Sequence, residues 1–120
     1  MLSNETVLVD EIVFHAKSSF VDFTFRDGYQ TSLTCEFLRV YSPSAEVRGH
    51  AHGQEILQVG KRNVSIDKLE QIGNYAVKIT FTDGHNTGLY SWPYIRQLGE
   101  NKDQLWDKYL QRLKESGEKR

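Results

Sequence analysis

The chain has 120 residues and a mass of 13.9 kDa, which suits one domain because two separate cores would each be too small. Its 15 Lys and Arg residues nearly balance 16 Asp and Glu residues, and the net charge of −1 argues against a dedicated nucleic-acid binder. No stretch approaches the roughly 18 apolar residues of a membrane-spanning helix, and the first residues lack the pattern of a secretory signal. The single cysteine, Cys35, excludes an internal disulfide. We therefore expect a cytoplasmic protein.

The first predicted unit is a strand over residues 11–16, a hairpin and a short helix over residues 36–41. In the hairpin, apolar residues alternate from Val21 to Phe25 and stop at Asp27-Gly28, a common turn signal. A three-residue turn keeps the larger side chains on one face, and it pairs Phe25 with Tyr29, Phe23 with Thr31 and Val21 with Leu33.

The hairpin pattern recurs 56 residues later, where apolar residues again alternate up to Asp83-Gly84. A preceding strand is predicted over residues 64–66, leading towards Ile72. The following helix is predicted to have Ser91 as its cap and to end at Gly99. The same turn geometry pairs Phe81 with His85, Ile79 with Thr87 and Val77 with Leu89.

A final helix is predicted over residues 102–115, where apolar residues fall at helical spacing. Residues 117–120 are expected to fray. Together these elements predict an α+β fold with a mostly antiparallel sheet, built from two β-hairpin–helix units plus a C-terminal helix. The expected domain covers residues 1–116.

A polar segment, residues 42–54, separates the two units. Loops of this length are uncommon inside compact domains, and those that occur often carry function. We expect the repeat to bring this segment and residues 85–92 to one side of the domain, with residues 42–54 displayed as a surface.

Three stretches of the chain resemble a known family: Leu-Arg-Val-Tyr-Ser-Pro-Ser-Ala-Glu-Val-Arg-Gly-His at residues 38–50, Gly-Lys-Arg at 60–62, and Asp-Gly-His-Asn-Thr-Gly-Leu-Tyr-Ser-Trp at 83–92. The family consists of uncharacterised small bacterial proteins similar to the N-terminal domain of gamma-butyrobetaine hydroxylase. In that hydroxylase and in trimethyllysine hydroxylase, the domain is a non-catalytic accessory to a 2-oxoglutarate oxygenase barrel and carries a structural zinc. Similar domains are fused to ATPases that carry iron–sulfur clusters, which implies a partner in iron–sulfur cluster assembly or delivery.

The resemblance places the zinc-ligand positions of the hydroxylases, three cysteines and a histidine, at Ser42, Ser44, Val47 and His85. A serine hydroxyl is a poor zinc ligand and valine cannot coordinate, so the structural zinc is expected to be absent, with His85 as a remnant. Oxygenase activity is not expected either, because the His-x-Asp/Glu start of the iron site is missing and the chain has no room for the barrel.

A different metal site is conceivable from the histidines alone. His50, His52 and His85 could form a three-nitrogen site for zinc or iron. The alternative is that His50 and His52 are solvated loop residues and that His85 packs beside Phe81.

Basic and aromatic residues supply the other candidates. Arg39, Arg48, Lys61 and Arg62 could form an anion site near the loop, or they could be ordinary solvated charges, with Arg39 paired to Glu36 or Glu46. Trp92 belongs either to an aromatic recognition surface or to the core. Cys35 is expected to be a small buried residue.

These observations favour a non-catalytic binding or accessory domain with a protein partner, and they leave its oligomeric state open. Two alternatives remain: a small zinc or iron protein using His50, His52 and His85, and a small-molecule enzyme with a basic pocket for an acidic substrate. The candidate binding residues are Arg39, Ser42, Ser44, Glu46, Arg48, Lys61, Arg62 and Trp92.

Overall fold

The computed structural model describes residues 7–49, 53 and 55–120. They form two three-stranded antiparallel sheets, with strand orders β1-β2-β3 and β4-β5-β6, so the fold is α+β as predicted. The first unit contains β1 (Val9–His15), β2 (Phe20–Phe25), β3 (Gln30–Thr34), α1 (Cys35–Val40) and α2 (Ala45–Arg48). The second contains β4 (Ile66–Ile72), β5 (Ala76–Phe81), β6 (Leu89–Ser91), α3 (Trp92–Glu100) and α4 (Lys102–Ser116).

The first hairpin has the predicted register. Val21 pairs with Leu33 and Phe23 with Thr31 across β2 and β3. The turn is closed by a hydrogen bond from the Phe25 amide to the Tyr29 carbonyl at 2.8 Å. Gly28 has a φ of +93°, a conformation that glycine adopts without the penalty of a Cβ.

The second hairpin has the same turn but one extra residue after it. The Phe81 amide donates to the His85 carbonyl at 2.9 Å, as predicted. Val77 then pairs with Tyr90 instead of Leu89, so the predicted Val77–Leu89 pairing is wrong, as is the Ile79–Thr87 pairing. The shift buries Tyr90 completely and leaves Leu89 49% exposed, because the larger aromatic side chain takes the core position.

Two elements of the second unit also have boundaries that differ from prediction. The strand expected over residues 64–66 runs from Ile66 to Ile72. α3 continues past Gly99 to Glu100, so this glycine lies inside the helix, where it permits close packing. A Cβ at Gly99 would lie 2.8 Å from Thr31 Cγ2 and from Tyr29 Oη.

The last four residues, which were expected to fray, return to the domain. Gly117 ends α4 in the left-handed conformation, and the Glu118 amide donates to the Leu113 carbonyl at 2.9 Å. Arg120 then forms an ion pair with Glu36 of α1 at 2.7 Å. This pairing opposes the free motion that a polar tail would otherwise have.

The two sheets share one hydrophobic core, to which α1 and α3 add their buried faces. Alternate residues of β2 and β5 are at most 1% exposed and form its centre, as the period-two pattern predicts: Val21, Phe23, Phe25, Val77, Ile79 and Phe81. Burying each such side chain contributes about 1.5–3 kcal/mol. None of the helices among the described residues is long and apolar enough to cross a membrane.

Candidate functional site

The two hairpin turns are held by reciprocal ion pairs between the repeated units. Asp27 in the first turn accepts hydrogen bonds from Arg96 of α3, at 2.9 and 3.1 Å. Asp83, the equivalent residue of the second turn, accepts from Arg39 of α1 at 2.9 Å. Each turn therefore docks on the helix of the other unit, and we name these regions the Asp27 junction and the Asp83 junction.

The Asp83 junction is the more polar of the two. Asp83 Oδ2 lies 2.9 Å from Arg39 Nε and 2.8 Å from Lys61 Nζ. Partial burial alone would raise the pKa of Asp83, but hydrogen bonds from Lys61, from the His85 amide and from Arg39 outweigh it and lower the pKa to about 2. Arg39 also donates to the Gln58 side chain at 3.0 Å. The Arg39 guanidinium is thus buried, and it links the Asp83 turn to Gln58.

His85 joins the turn to the segment that follows α1. Its Nε2 lies 2.8 Å from Ser42 Oγ, and its Nδ1 lies 3.3 Å from a Glu46 carboxylate oxygen. This arrangement fits a neutral ring that carries its proton on Nδ1, facing the carboxylate, while Nε2 accepts from the Ser42 hydroxyl. Burial, and next the positive charge of Arg39, lower the pKa of His85 below its usual 6.5, which keeps the ring neutral at pH 7.

Ser44 makes a second link to the same segment. Its hydroxyl lies 2.7 Å from Thr87 Oγ1, and it caps α2 by accepting from the Glu46 amide at 3.2 Å. Gly88 packs so closely here that a Cβ would lie 2.5 Å from Ser42 Oγ. The extra residue after the second turn therefore lets residues 85–88 lie against residues 42–44.

The zinc-ligand positions implied by the resemblance lie in this region, and all four are buried: Ser42, Ser44, Val47 and His85. The residues present do not fit zinc. Both serine hydroxyls are engaged in hydrogen bonds, Val47 has no donor atom, and His85 Nε2 is occupied by Ser42. Among the described residues, no group of three or more His, Cys, Asp or Glu could hold a metal ion. His50 and His52 lie outside the described residues.

The four basic candidates do not form one open anion site. Arg39 and Lys61 both bind Asp83. Arg48 lies over the Tyr94 ring, 5.6 Å from its centroid, and Arg62 is exposed beside the end of α4. Trp92 is 3% exposed and belongs to the core, where its indole Nε1 donates to the Asn74 carbonyl at 2.6 Å. The aromatic surface weighed for Trp92 is therefore wrong.

Arg48 lines a cavity of about 250 Å³ between α2, α3 and α4. Tyr94 is next to it, and burial raises the pKa of that phenol to about 12. The Tyr94 hydroxyl donates to the Tyr41 carbonyl at 2.5 Å. A protonated phenol engaged in this way is not a ready base or nucleophile, so the cavity gives the enzyme alternative no support.

The predicted contact between residues 42–54 and 85–92 is present for residues 42–46 and 85–88. The expectation that the first of these segments is displayed is wrong at Ser42, Ser44 and Val47, which are buried. It holds for Glu46 and Arg48, which are exposed. The hydroxyl groups of Ser42 and Ser44 form hydrogen bonds with His85 and Thr87. Sequence composition alone does not distinguish such buried serines from serines that are exposed to solvent.

The pairing of Asp27 with Arg96 was not anticipated from the sequence. Arg39 and Arg96 occupy equivalent places, five residues after the helix caps Thr34 and Ser91. If the repeat is extended from the hairpins into the helices, and one residue is inserted before the second helix, Arg39 aligns with Arg96. This alignment would have indicated that both arginines pair with a turn aspartate.

The model of the gamma-butyrobetaine hydroxylase-like, N-terminal family matches residues 12–96 of this chain. The chain belongs to this family. Two solution NMR structures are similar to this chain. The first has 43% identity and a TM-score of 0.84, and the match covers 100% of this chain and 89% of the other. The second has 42% identity and a TM-score of 0.81, and the match covers 94% of this chain and 89% of the other. A crystal structure of a protein with unknown function of the DUF971 family from Acidithiobacillus ferrooxidans has 35% identity and a TM-score of 0.67, covering 81% of this chain and 98% of the other. No curated protein matches significantly.

Proposed function

We propose that this chain is a non-catalytic binding domain of the cytoplasm, whose partner is a protein of iron–sulfur cluster assembly or delivery. The observation that carries the proposal is the joining of residues 42–46 to residues 85–88 at the Asp83 junction. Hydrogen bonds fix this junction from beneath, through Ser42 with His85 and Ser44 with Thr87. A fixed base of this kind limits the ordering cost that a binding surface pays when a partner docks.

The surface above this base has the composition of a small protein-binding site. We define the Glu46–Leu89 surface by its exposed members: Ala45, Glu46, Asn86, Thr87 and Leu89. Leu89 is 49% exposed even though its neighbour Tyr90 is fully buried. An apolar side chain with polar neighbours is a common arrangement at protein interfaces.

The chemistry of the junction supports binding more than catalysis. The polar side chains that could act on a substrate are engaged with one another: Arg39 and Lys61 with Asp83, and Ser42 with His85. The class of partner rests on the resemblance to domains fused to ATPases that carry iron–sulfur clusters.

Affinity capture from the source cell under anaerobic conditions, with quantitative mass spectrometry, tests the proposal. The bait is the wild-type chain, with Leu89→Glu as the surface variant and Val13→Glu as its matched control. Val13 is 39% exposed and lies on β1, in the other sheet. We expect wild type and Val13→Glu to enrich an iron–sulfur assembly or delivery protein, and Leu89→Glu to lose about tenfold or more of it.

Two outcomes count against the proposal. If no iron–sulfur protein is enriched by wild type, the class of partner is wrong. If Leu89→Glu captures as much as Val13→Glu, the Glu46–Leu89 surface is not where the partner binds.

A further inference from the structure

The face of the molecule formed by β3, α1 and α4 contains a buried carboxylate that the Asp83 junction does not use. Glu36 lies in the first turn of α1, and its side chain is only 7% exposed. Burying a carboxylate is costly unless a cation with good geometry compensates it. A glutamate at this place therefore calls for a specific positive partner.

That partner in the structure is the guanidinium of Arg120. Arg120 Nη2 lies 2.7 Å from Glu36 Oε1 and Arg120 Nε lies 3.0 Å from Glu36 Oε2, which makes a two-point pairing. The same guanidinium lies over the Trp106 ring, 5.2 Å from its centroid. A carboxylate at the edge and an indole at the face together recognise the planar shape of a guanidinium, and an ammonium group satisfies this arrangement less well.

The two sides of this contact are built differently. Glu36 and Trp106 are held by the fold, because Glu36 is in α1 and Trp106 packs against Phe37 and Tyr109 with ring centroids 6.4 and 5.3 Å apart. Arg120 is delivered by a short segment after α4, and its side chain is 36% exposed. The receptor is therefore part of the core structure, and the arginine is peripheral.

The cavity at this site is larger than one arginine side chain requires. Its volume is about 590 Å³, and it extends from Glu36 and Trp106 along β3 and the first turns of α4. Asp103 and Asp107 line it together with a single lysine, Lys102, apart from Arg120 itself. This balance of charge favours a cationic occupant.

We propose that this groove, defined by Glu36, Phe37, Asp103, Trp106 and Asp107, binds an arginine side chain from a basic segment of a partner protein, and that Arg120 occupies it in the free chain as an intramolecular competitor. The groove lies on α1 and α4, whereas the Glu46–Leu89 surface lies on α2, on β6 and on the loop that precedes β6. The inference therefore stands or falls independently of the proposed function.

NMR titration of the full-length Arg120→Ala variant tests the proposal. The probe is the tetrapeptide Gly-Glu-Lys-Arg, which reproduces residues 117–120, and the signal is the indole N–H of Trp106. We expect saturable shifts at Trp106. Wild type should bind the same peptide about tenfold or more weakly, because Arg120 populates the groove and reduces the fraction of chains able to bind.

Matched controls separate guanidinium recognition from general basic attraction. The peptides Gly-Glu-Lys-Lys and Gly-Glu-Lys-Ala should bind more weakly than Gly-Glu-Lys-Arg, in that order. The double variant Glu36→Gln/Arg120→Ala keeps the shape of the Glu36 side chain but removes its charge. It should no longer bind Gly-Glu-Lys-Arg. Because Glu36→Gln also removes the buried charge that Arg120→Ala leaves unpaired, this variant retains the fold if Arg120→Ala alone does not.

Three results would overturn the inference. The first is the absence of saturable shifts at Trp106 in Arg120→Ala. The second is equal binding of the arginine and alanine peptides. The third is a concentration-dependent dimer of wild type that Arg120→Ala abolishes, which would make a second copy of this chain the occupant. If Arg120→Ala folds with a lower melting temperature than wild type, Gly-Glu-Lys-Arg should raise that temperature more than an equal concentration of Gly-Glu-Lys-Ala, and failure to do so also contradicts the inference.

Discussion

The Asp27 and Asp83 junctions have similar local sequences, but their side chains lie in different surroundings. Both contain a turn aspartate paired with an arginine of the other unit's helix. At the Asp27 junction, Arg96 stacks on Tyr29 at 4.0 Å from the ring centroid, and Gly99 closes the space beside Tyr29 and Thr31. This junction is sealed by packing.

The Asp83 junction replaces this packing with polar side chains. His85 takes the place of Tyr29, and Ser42 takes the place of Gly99 at the end of the equivalent helix. Lys61 and Gln58 add further polar contacts. The ion pair is thus the common structural element, while the residues around it differ, and in this chain only the second junction carries an imidazole.

The largest expected effect comes from restoring cysteines at the Asp83 junction. The variant Ser42→Cys/Ser44→Cys/Val47→Cys should bind one zinc ion together with His85, because thiolate and imidazole are the ligands zinc prefers. Structural zinc sites have apparent binding free energies on the order of 10 kcal/mol, so competition with a chromophoric chelator measures the gain. Adding His85→Ala should abolish tight binding. Equal zinc affinity with and without His85 would show that these positions do not converge.

Removing the two arginines tests whether the junctions differ in strength. Arg39→Met should destabilise the fold by about 3 kcal/mol, since it leaves buried Gln58 and the Asp83 turn without their shared donor. Arg96→Met should cost less, because Asp27 is closer to solvent and the methionine retains packing on Tyr29. Urea denaturation of both variants measures the difference. A larger loss for Arg96→Met would contradict the ranking.

Substitution of one glycine at each junction tests the close packing there. Gly88→Ala should cost about 2 kcal/mol because the new methyl group meets Ser42 Oγ, and the cost should shrink in a Ser42→Ala background. Gly99→Ala meets Tyr29 and Thr31, but the helix gains about 1 kcal/mol from alanine, so its net cost should be smaller. A double-mutant cycle that shows no coupling between Gly88 and Ser42 would contradict the contact.

The smallest expected effect is the pH dependence of the Asp83 junction. The pKa of His85 is lowered in the folded state, chiefly by burial, so the unfolded chain binds its proton more readily. This contribution to stability is complete above pH 6.5 and is lost as the pH falls through the lower folded-state pKa. Unfolding free energies at pH 7.5 and 5.5 should therefore differ more for wild type than for His85→Gln. An equal difference in both proteins would show that His85 is not the titrating group.

Much of the fold was predictable because short-range rules decide it. Alternating apolar residues before Asp27-Gly28 and Asp83-Gly84 gave both turns, and Ser91 gave the start of α3. The second strand register was missed because the alternation favours Leu89, whereas the core selects the larger Tyr90. A choice between adjacent apolar residues depends on the volume available in the core, which a single sequence does not contain.

The candidate site was predicted in part. The expected meeting of residues 42–54 with residues 85–92 is present for residues 42–46 and 85–88, since Ser42 contacts His85 and Ser44 contacts Thr87. The role of Arg39 was missed because its partner, Asp83, is 44 residues away. Long-range ion pairs depend on how the units dock, and local patterns carry little information about docking.

Site-specific photo-crosslinking is the most direct test of the proposal that the Asp83 junction supports a binding surface. Benzoylphenylalanine replaces Leu89 in one variant and Val13 in another, and both are irradiated in anaerobic lysate. The account predicts that the probe at position 89 links to an iron–sulfur assembly or delivery protein, while the probe at position 13 does not. Crosslinks to that protein from position 13 alone, or from neither position, would contradict it.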